Sequence, residues 1–225
     1  MNEIVVSILI PAYNEEKRIG NTIKPLINSN CIDEIIVIDD GSSDHTAKKA
    51  GEYGVVVSRL GKNMGKGWAL RHGIKQAKGN IIGFLDADVE ESSLEIEKLI
   101  KPVAEGDCDV TIAKFPPSKK KGGFGLVKQL AKRGVYLYTK KIISSSLSGQ
   151  RVFNRKVLED ILLPTGGYGV EVDMTIDILK KGYKIKEVPV NMKHAETGRD
   201  IKGFKHRAKQ FSHISIVLLK RLVKR

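Results

Sequence analysis

Cysteine is scarce in this chain of 225 residues, with only Cys31 and Cys108. They show no metal-site spacing, and a reduced, intracellular setting fits them. Long apolar runs are missing too: none approaches the ~20 residues needed to cross a bilayer. The opening Met-Asn-Glu-Ile-Val-Val-Ser has no basic n-region and no small-residue cleavage site, so it reads as a strand rather than a signal peptide. P-loop spacing and a dinucleotide-binding glycine fingerprint are both absent.

Acid is in short supply, and unevenly so. The net charge is +13. Residues 114–141 hold nine Lys/Arg and no acid, and residues 193–225 hold ten against two. Those stretches have a combined net charge of +17, which leaves the rest of the chain at −4. Segments of this kind meet nucleic acid, an anionic membrane or a phosphorylated acceptor. Nucleic-acid binding is disfavoured, because interleaved aromatics and known recognition motifs are lacking.

What the chain does have is a repeated unit. Short apolar runs at 5–10, 35–38, 55–57 and 81–85 read as strands, those at 35–38 and 81–85 buried, each followed by a loop and a helical stretch. This predicts an α/β fold with a parallel, doubly wound sheet and right-handed crossovers. Expected helices cover about 14–29, 43–53, 68–77, 92–106, 124–143 and 171–180, with further strands at 109–114 and 183–190. Asn14 is the expected cap of the first helix, and Ser43 or Asp44 of the second.

Polar residues gather where the strands end. Tyr13 to Glu15, Asp39 to Ser42, and Asp86 to Asp88 each follow a strand, and the carboxyl edge of an open sheet is where ligands bind. A charge is costly to bury unpaired, so Asp86 and Asp88 belong at the strand's exit. Asp-x-Asp there suits a divalent cation held through oxygen. The loop Gly61-Lys-Asn-Met-Gly-Lys-Gly67 adds a basic, glycine-rich turn.

Ile-Pro-Ala-Tyr-Asn-Glu-Glu (10–16), Ile-Asp-Asp-Gly-Ser-Ser-Asp (38–44), Asn-Met-Gly-Lys-Gly (63–67) and Leu-Asp-Ala-Asp (85–88) together resemble the family-2 type glycosyltransferases of the GT-A fold. The resemblance implies one GT-A domain over 1–225. Residues 1–114 would bind the nucleotide-sugar, 115–200 the acceptor, and 201–225 would form a basic amphipathic helix. The implied donor is a UDP-sugar, UDP-glucose first. Pro11, Ala12, Tyr13 and Glu15 would line the base and ribose pocket, with Asp39 or Asp40 reading the base and Ser42 nearby. Lys66 would approach the phosphates, and Asp86 with Ala87 the ribose. Asp88 would hold Mg²⁺ or Mn²⁺, joined by His194.

Three further segments carry the resemblance. Ser148-Gly149-Gln150-Arg151 is similar to the acceptor-side segment of polyprenyl-phosphate sugar synthases, where Arg151 suits a phosphate. Gly-Tyr-Gly-Val-Glu (167–171) is similar to the sugar-contacting segment of glucosyl-3-phosphoglycerate synthases, implicating Tyr168 and Glu171. Glu171 and Asp173 are the candidate bases for a hydroxyl acceptor, and Arg199 is placed to meet a phosphate. Met192 departs from the pattern, since the phosphoglycerate enzymes carry arginine two residues before the histidine.

The implied activity is metal-dependent hexosyl transfer to a phosphorylated or lipid-linked acceptor such as polyprenyl phosphate, or to 3-phosphoglycerate. A nucleotidyltransferase is the rival, disfavoured because Pro-Ala-Tyr-Asn-Glu-Glu occupies the place of its phosphate loop. From Gly203 onward Phe204, Ala208, Phe211, Leu218 and Leu222 predict an amphipathic helix. It has three possible uses: packing, pairing two subunits, or lying on an anionic membrane from the cytoplasmic side.

Overall fold

The structure, a computed structural model, describes residues 3–116, 125–161, 163, 169–193 and 201–223. Its centre is a seven-stranded sheet. The first half contributes β1 (Val6–Ala12), β2 (Glu34–Asp39), β3 (Val56–Arg59), β4 (Ile81–Phe84) and β5 (Val110–Lys114). The second half contributes β6 (Arg151–Asn154) and β7 (Ile185–Pro189). The spatial order is β3-β2-β1-β4-β6-β5-β7. All strands run parallel except β6, which pairs antiparallel with both β4 and β5.

Both faces of the sheet are covered, so the period-two alternation of the strands sorts side chains into two cores. Leu9, Ile36, Ile38, Ile82, Phe84 and Phe153 point into one. It is closed by α3 (Lys66–Gln76), α5 (Leu126–Thr139), α6 (Arg155–Asp160), α7 (Val170–Lys180) and α8 (Ile201–Val223). Ile8, Ile10, Val37, Ile81 and Val152 point into the other. That core is closed by α1 (Ile19–Leu26), α2 (Thr46–Gly51) and α4 (Glu97–Ala104), with a 3₁₀ helix over Glu90–Ile96. Continuous apolar runs in the first strands are the sequence mark of this two-sided burial.

Several local expectations shift. Asn14 does not cap a helix: it takes a left-handed backbone with φ 55°, and α1 starts only at Ile19. Its side-chain oxygen instead accepts from the Ser43 amide at 2.9 Å. Neither Ser43 nor Asp44 is the cap of α2: that position is His45, which makes no side-chain cap, while Asp44 just before it accepts from the Thr46 amide at 3.0 Å. The helix expected over 92–106 splits into the 3₁₀ segment and α4. Strand β6 and helix α6 were not foreseen, because four residues opening on arginine do not read as a buried strand.

Helix α8 packs on α5 and α7. Ile214 is buried, and the Tyr138 hydroxyl of α5 donates to the Leu218 carbonyl at 2.6 Å. Arg221 pairs with Asp173 and, at 2.7 Å, with Asp177 of α7. No helix among the described residues is long and apolar enough to cross a membrane.

Candidate active site

Strands β2, β1 and β4 lie side by side and parallel, with Ala12 opposite Asp39 and Leu9 opposite Phe84. The Asp40 amide donates to Ala12 at 2.8 Å and the Leu85 amide to Leu9 at 3.0 Å, carrying the register past the strand ends. The three loops expected to carry chemistry therefore leave the sheet at one edge.

Asp39 and Asp40 are both buried and have different duties. The two carboxylate oxygens of Asp40 accept from the Met64 and Gly65 amides, each at 2.7 Å. Asp40 thus holds the glycine loop in place and has no oxygen without a donor. Gly41 below it has φ +73°, and a Cβ there would meet the Lys62 carbonyl carbon at 2.5 Å, so only glycine lets the loop sit so close. Asp39 accepts from the Ser42 amide through Oδ1 at 2.9 Å. Its Oδ2 lies 3.1 Å from Arg59 Nε without hydrogen-bond alignment, so it is buried with acceptor capacity to spare. Of the two aspartates offered for base reading, the geometry leaves Asp39.

The loop after β1 is fixed from β2. The Asn14 amide donates to Ser42 Oγ at 2.9 Å and the Glu15 amide to Thr46 Oγ1 at 2.8 Å. Pro11 is half-buried, Ala12 buried and Tyr13 exposed beside them. Glu15 takes a two-pronged contact from Arg18, at 2.7 and 2.8 Å. Burial raises the Glu15 carboxyl above its ordinary value, and Arg18 opposes that shift. Arg18 also reaches to 3.9 Å from Asp88. Thr22 of α1 pins the Asp-x-Asp turn from beneath: its hydroxyl donates to the Ala87 carbonyl at 2.8 Å and accepts from the Glu90 amide at 3.0 Å.

A second cluster joins the two halves of the chain. Lys66, at the start of α3, contacts Asp86 at 2.5 Å and Glu171 of α7 at 3.6 Å. Burial pulls the ammonium down, but Asp86 and then Glu171 outweigh it and hold Lys66 above its ordinary 10.5. The other Asp86 oxygen accepts from Gln150 Nε2 at 2.7 Å. Ser148 donates to Gln150 at 3.3 Å, and Gly149 lies so close to Lys66 and Asp86 that a Cβ would collide with the ammonium.

Two expectations need correction. Arg151 does not face an acceptor: it is fully buried, with its guanidinium donating to the carbonyls of Ser146, Ser148 and Glu171 and to the Thr175 hydroxyl. Burial lowers it to about 10, partly offset by Glu171. It is a clamp between residues 146–148 and α7. Asp173 is taken by Arg221, so it is not poised as a base. Met192 is buried in the core, away from any arginine's duty. Tyr168, His194 and Arg199 lie outside the described residues.

Sequence reasoning missed Arg18, Thr22 and Arg59. Arg18 had a signal, sitting three residues after Glu15 on the approach to a helix. The others had none, because their partners are 65 and 20 positions away in the chain.

A model of the family described as Glycosyl transferase family 2 matches residues 7–162. An uncharacterized protein of Methanocaldococcus jannaschii is 35% identical over 206 residues, 87% of this chain and 84% of that protein. Glucosyl-3-phosphoglycerate synthase of Mycolicibacterium smegmatis is 32% identical over 193 residues. That match takes in 76% of this chain but 63% of the synthase, so the chain spans less than two thirds of it. The crystal structure of glucosyl-3-phosphoglycerate synthase from Mycobacterium tuberculosis with Mn²⁺, UDP and glucosyl-3-phosphoglycerate superposes with a TM-score of 0.82. At 24% identity, over 97% of this chain and 80% of the other, that likeness is one of fold. A match through β1, β2, β4 and the Asp-x-Asp edge places this chain in glycosyl transferase family 2, as a glycosyltransferase of the GT-A fold.

Proposed function

We propose that the protein moves a hexose from a UDP-sugar, UDP-glucose first, to a phosphate-bearing acceptor with the help of a divalent cation. The observation that carries this reading is the meeting of Lys66, Asp86, Gln150 and Glu171 at the carboxyl edge, the same edge at which a buried Asp39 oxygen accepts no hydrogen bond. A uracil N–H supplies a donor of the right kind for Asp39 Oδ2. Pro11, Ala12, Tyr13 and Glu15 then form the walls of the base and ribose pocket, closed by Ser42. Asp86 and Ala87 face the ribose. Lys66, cationic at any physiological pH, meets the diphosphate. Tyr168 and Glu171 flank the sugar, and Arg199 meets a phosphate.

Asp88 is the cation's protein ligand in this reading, and His194, outside the described residues, is its proposed second ligand. The donor set fits: an oxygen ligand at the strand exit, whose side chain meets only Arg18 at 3.9 Å among the described residues. Among the described residues no group of three or more His, Cys, Asp or Glu could hold a metal alone. A bound Mg²⁺ or Mn²⁺ supplies charge neutralisation for the departing diphosphate. Titration calorimetry with UDP and GDP, in Mn²⁺ and then in EDTA, tests the donor. Metal-dependent UDP binding supports it, and a folded protein that binds neither nucleotide overturns it.

For the acceptor, polyprenyl phosphate stands first and a small phosphorylated acid such as 3-phosphoglycerate second. A phosphate oxygen is already ionised and needs no general base. A hydroxyl acceptor would call on Glu171, since Arg221 occupies Asp173.

A further inference from the structure

The outer surface of α5 and α8 has no part in the site just described. The two helices touch where Gly134 faces Leu218, so close that a Cβ on Gly134 would lie 2.6 Å from Leu218 Cδ1. Along α5, Leu126, Leu130 and Leu137 share the stripe of Gly134 at helical spacing. Along α8, Phe211, Ile214 and Leu222 share the stripe of Leu218, and Leu219 extends it outward. The contact therefore lays two apolar stripes side by side. Their ends are not covered: Leu126, Leu137, Leu219 and Leu222 are each at least half exposed, at 57%, 54%, 59% and 50%.

The charge around this surface is of one sign. Residues 125–141 and 201–225 contain no Asp or Glu. Lys128, Lys132, Arg133 and Lys140 of the first stretch are exposed, as are Lys209 and Lys220 of the second. A second copy docking face to face would bring these cations against one another, which is unfavourable in a contact that excludes water. An apolar stripe flanked by lysine and arginine is complementary to an interface of acyl chains and anionic headgroups.

We infer that the α5–α8 face is a peripheral docking surface for an anionic membrane. Leucines enter the headgroup boundary, and Arg133 and Lys140, which flank Leu126 and Leu137 on α5, meet the lipid phosphates. The face is tied to the site, because Gly169, two residues before Glu171, packs against Val217 of α8. Docking would hold the Glu171 end of α7 near the lipid surface. The inference stands apart from the donor assignment, since vesicle binding needs no nucleotide.

Sedimentation of the full chain with vesicles of equal parts phosphatidylglycerol and phosphatidylcholine tests it, with pure phosphatidylcholine vesicles and high salt as comparisons. Binding to the anionic vesicles, weakened by salt, is expected. It should fall about tenfold or more in Leu219→Glu/Leu222→Glu and, independently, in Arg133→Glu/Lys140→Glu. Thermal unfolding of each variant shows whether it is folded, and the charge variant carries the test if the leucine variant is not. Metal-dependent UDP binding in the same variants separates loss of docking from failure of the donor reading. Absent binding to anionic vesicles, equal binding to neutral ones, or full binding by both folded variants overturns the inference. So does a dimer in solution that the leucine variant abolishes while vesicle binding stays undetected.

Discussion

Arg151 and Asp173 are charged side chains that stand in the second half of the chain and do structural work there. Arg151 donates to three carbonyls and a hydroxyl in a fully buried position. Arg151→Ala would leave those acceptors without a donor and should cost ~3 kcal/mol of stability, read from urea unfolding. A role in binding acceptor phosphate predicts the opposite, a raised acceptor KM on a protein of unchanged stability. Asp173→Asn should keep donor turnover within about twofold of wild type, because the carboxylate serves Arg221. Asp88→Ala and, independently, His194→Ala should abolish metal-dependent release of UDP from UDP-glucose while the melting temperature stays put. Wild-type activity in His194→Ala would remove that residue from the metal shell. The residue types at the strand ends were legible because the sheet's carboxyl edge is a fixed place. Which of two adjacent aspartates kept an oxygen without a hydrogen bond was not legible, because that depends on amides 24 and 25 positions away.

Among elements, the glycine loop and α8 each have a contact that a single substitution removes or blocks. Asp40 alone ties the Met64 and Gly65 amides. Asp40→Ala should speed hydrogen exchange at both amides and weaken UDP binding by about tenfold, with little change in exchange across β1 and β4. Gly134→Val would force the α5–α8 contact apart at Leu218 and should cost ~1–3 kcal/mol, with exchange in α8 rising first. Parallel strands and their helices were readable as apolar runs and helical spacing. Strand β6 was not, since its place between β4 and β5 is set by pairing with two strands that flank it in space, from 67 and 39 positions away. The start of α1 was misplaced for a related reason: Asn14 is held by Ser42 and Ser43 of another loop, and that contact outweighs its preference for capping.

For the molecule as a whole, the antiparallel β6 joins the halves, since it brings Ser148 to Gln150 against Asp86 and Lys66. A ligand bound across that junction should stabilise the entire sheet. UDP at a hundred times its Kd with Mn²⁺ should add ~2.7 kcal/mol to unfolding stability, and EDTA should remove the gain. A melting temperature indifferent to UDP and Mn²⁺ would mean that the nucleotide does not bind the folded protein.

By itself the sequence determined the α/β class, the edge at which polar residues gather, and the resemblance that names the family. Those depend on local pattern: period-two burial, apolar runs that end in carboxylates, and glycines at fixed spacing. Only the tertiary structure decided which charges are spent. Lys66 is shared between Asp86 and Glu171, Arg151 is enclosed by carbonyls, Asp173 is matched by Arg221, and one oxygen of Asp39 is left over. The reason is physical. A buried charge is governed by the partner that reaches it in space, and the chain does not write that partner next to it.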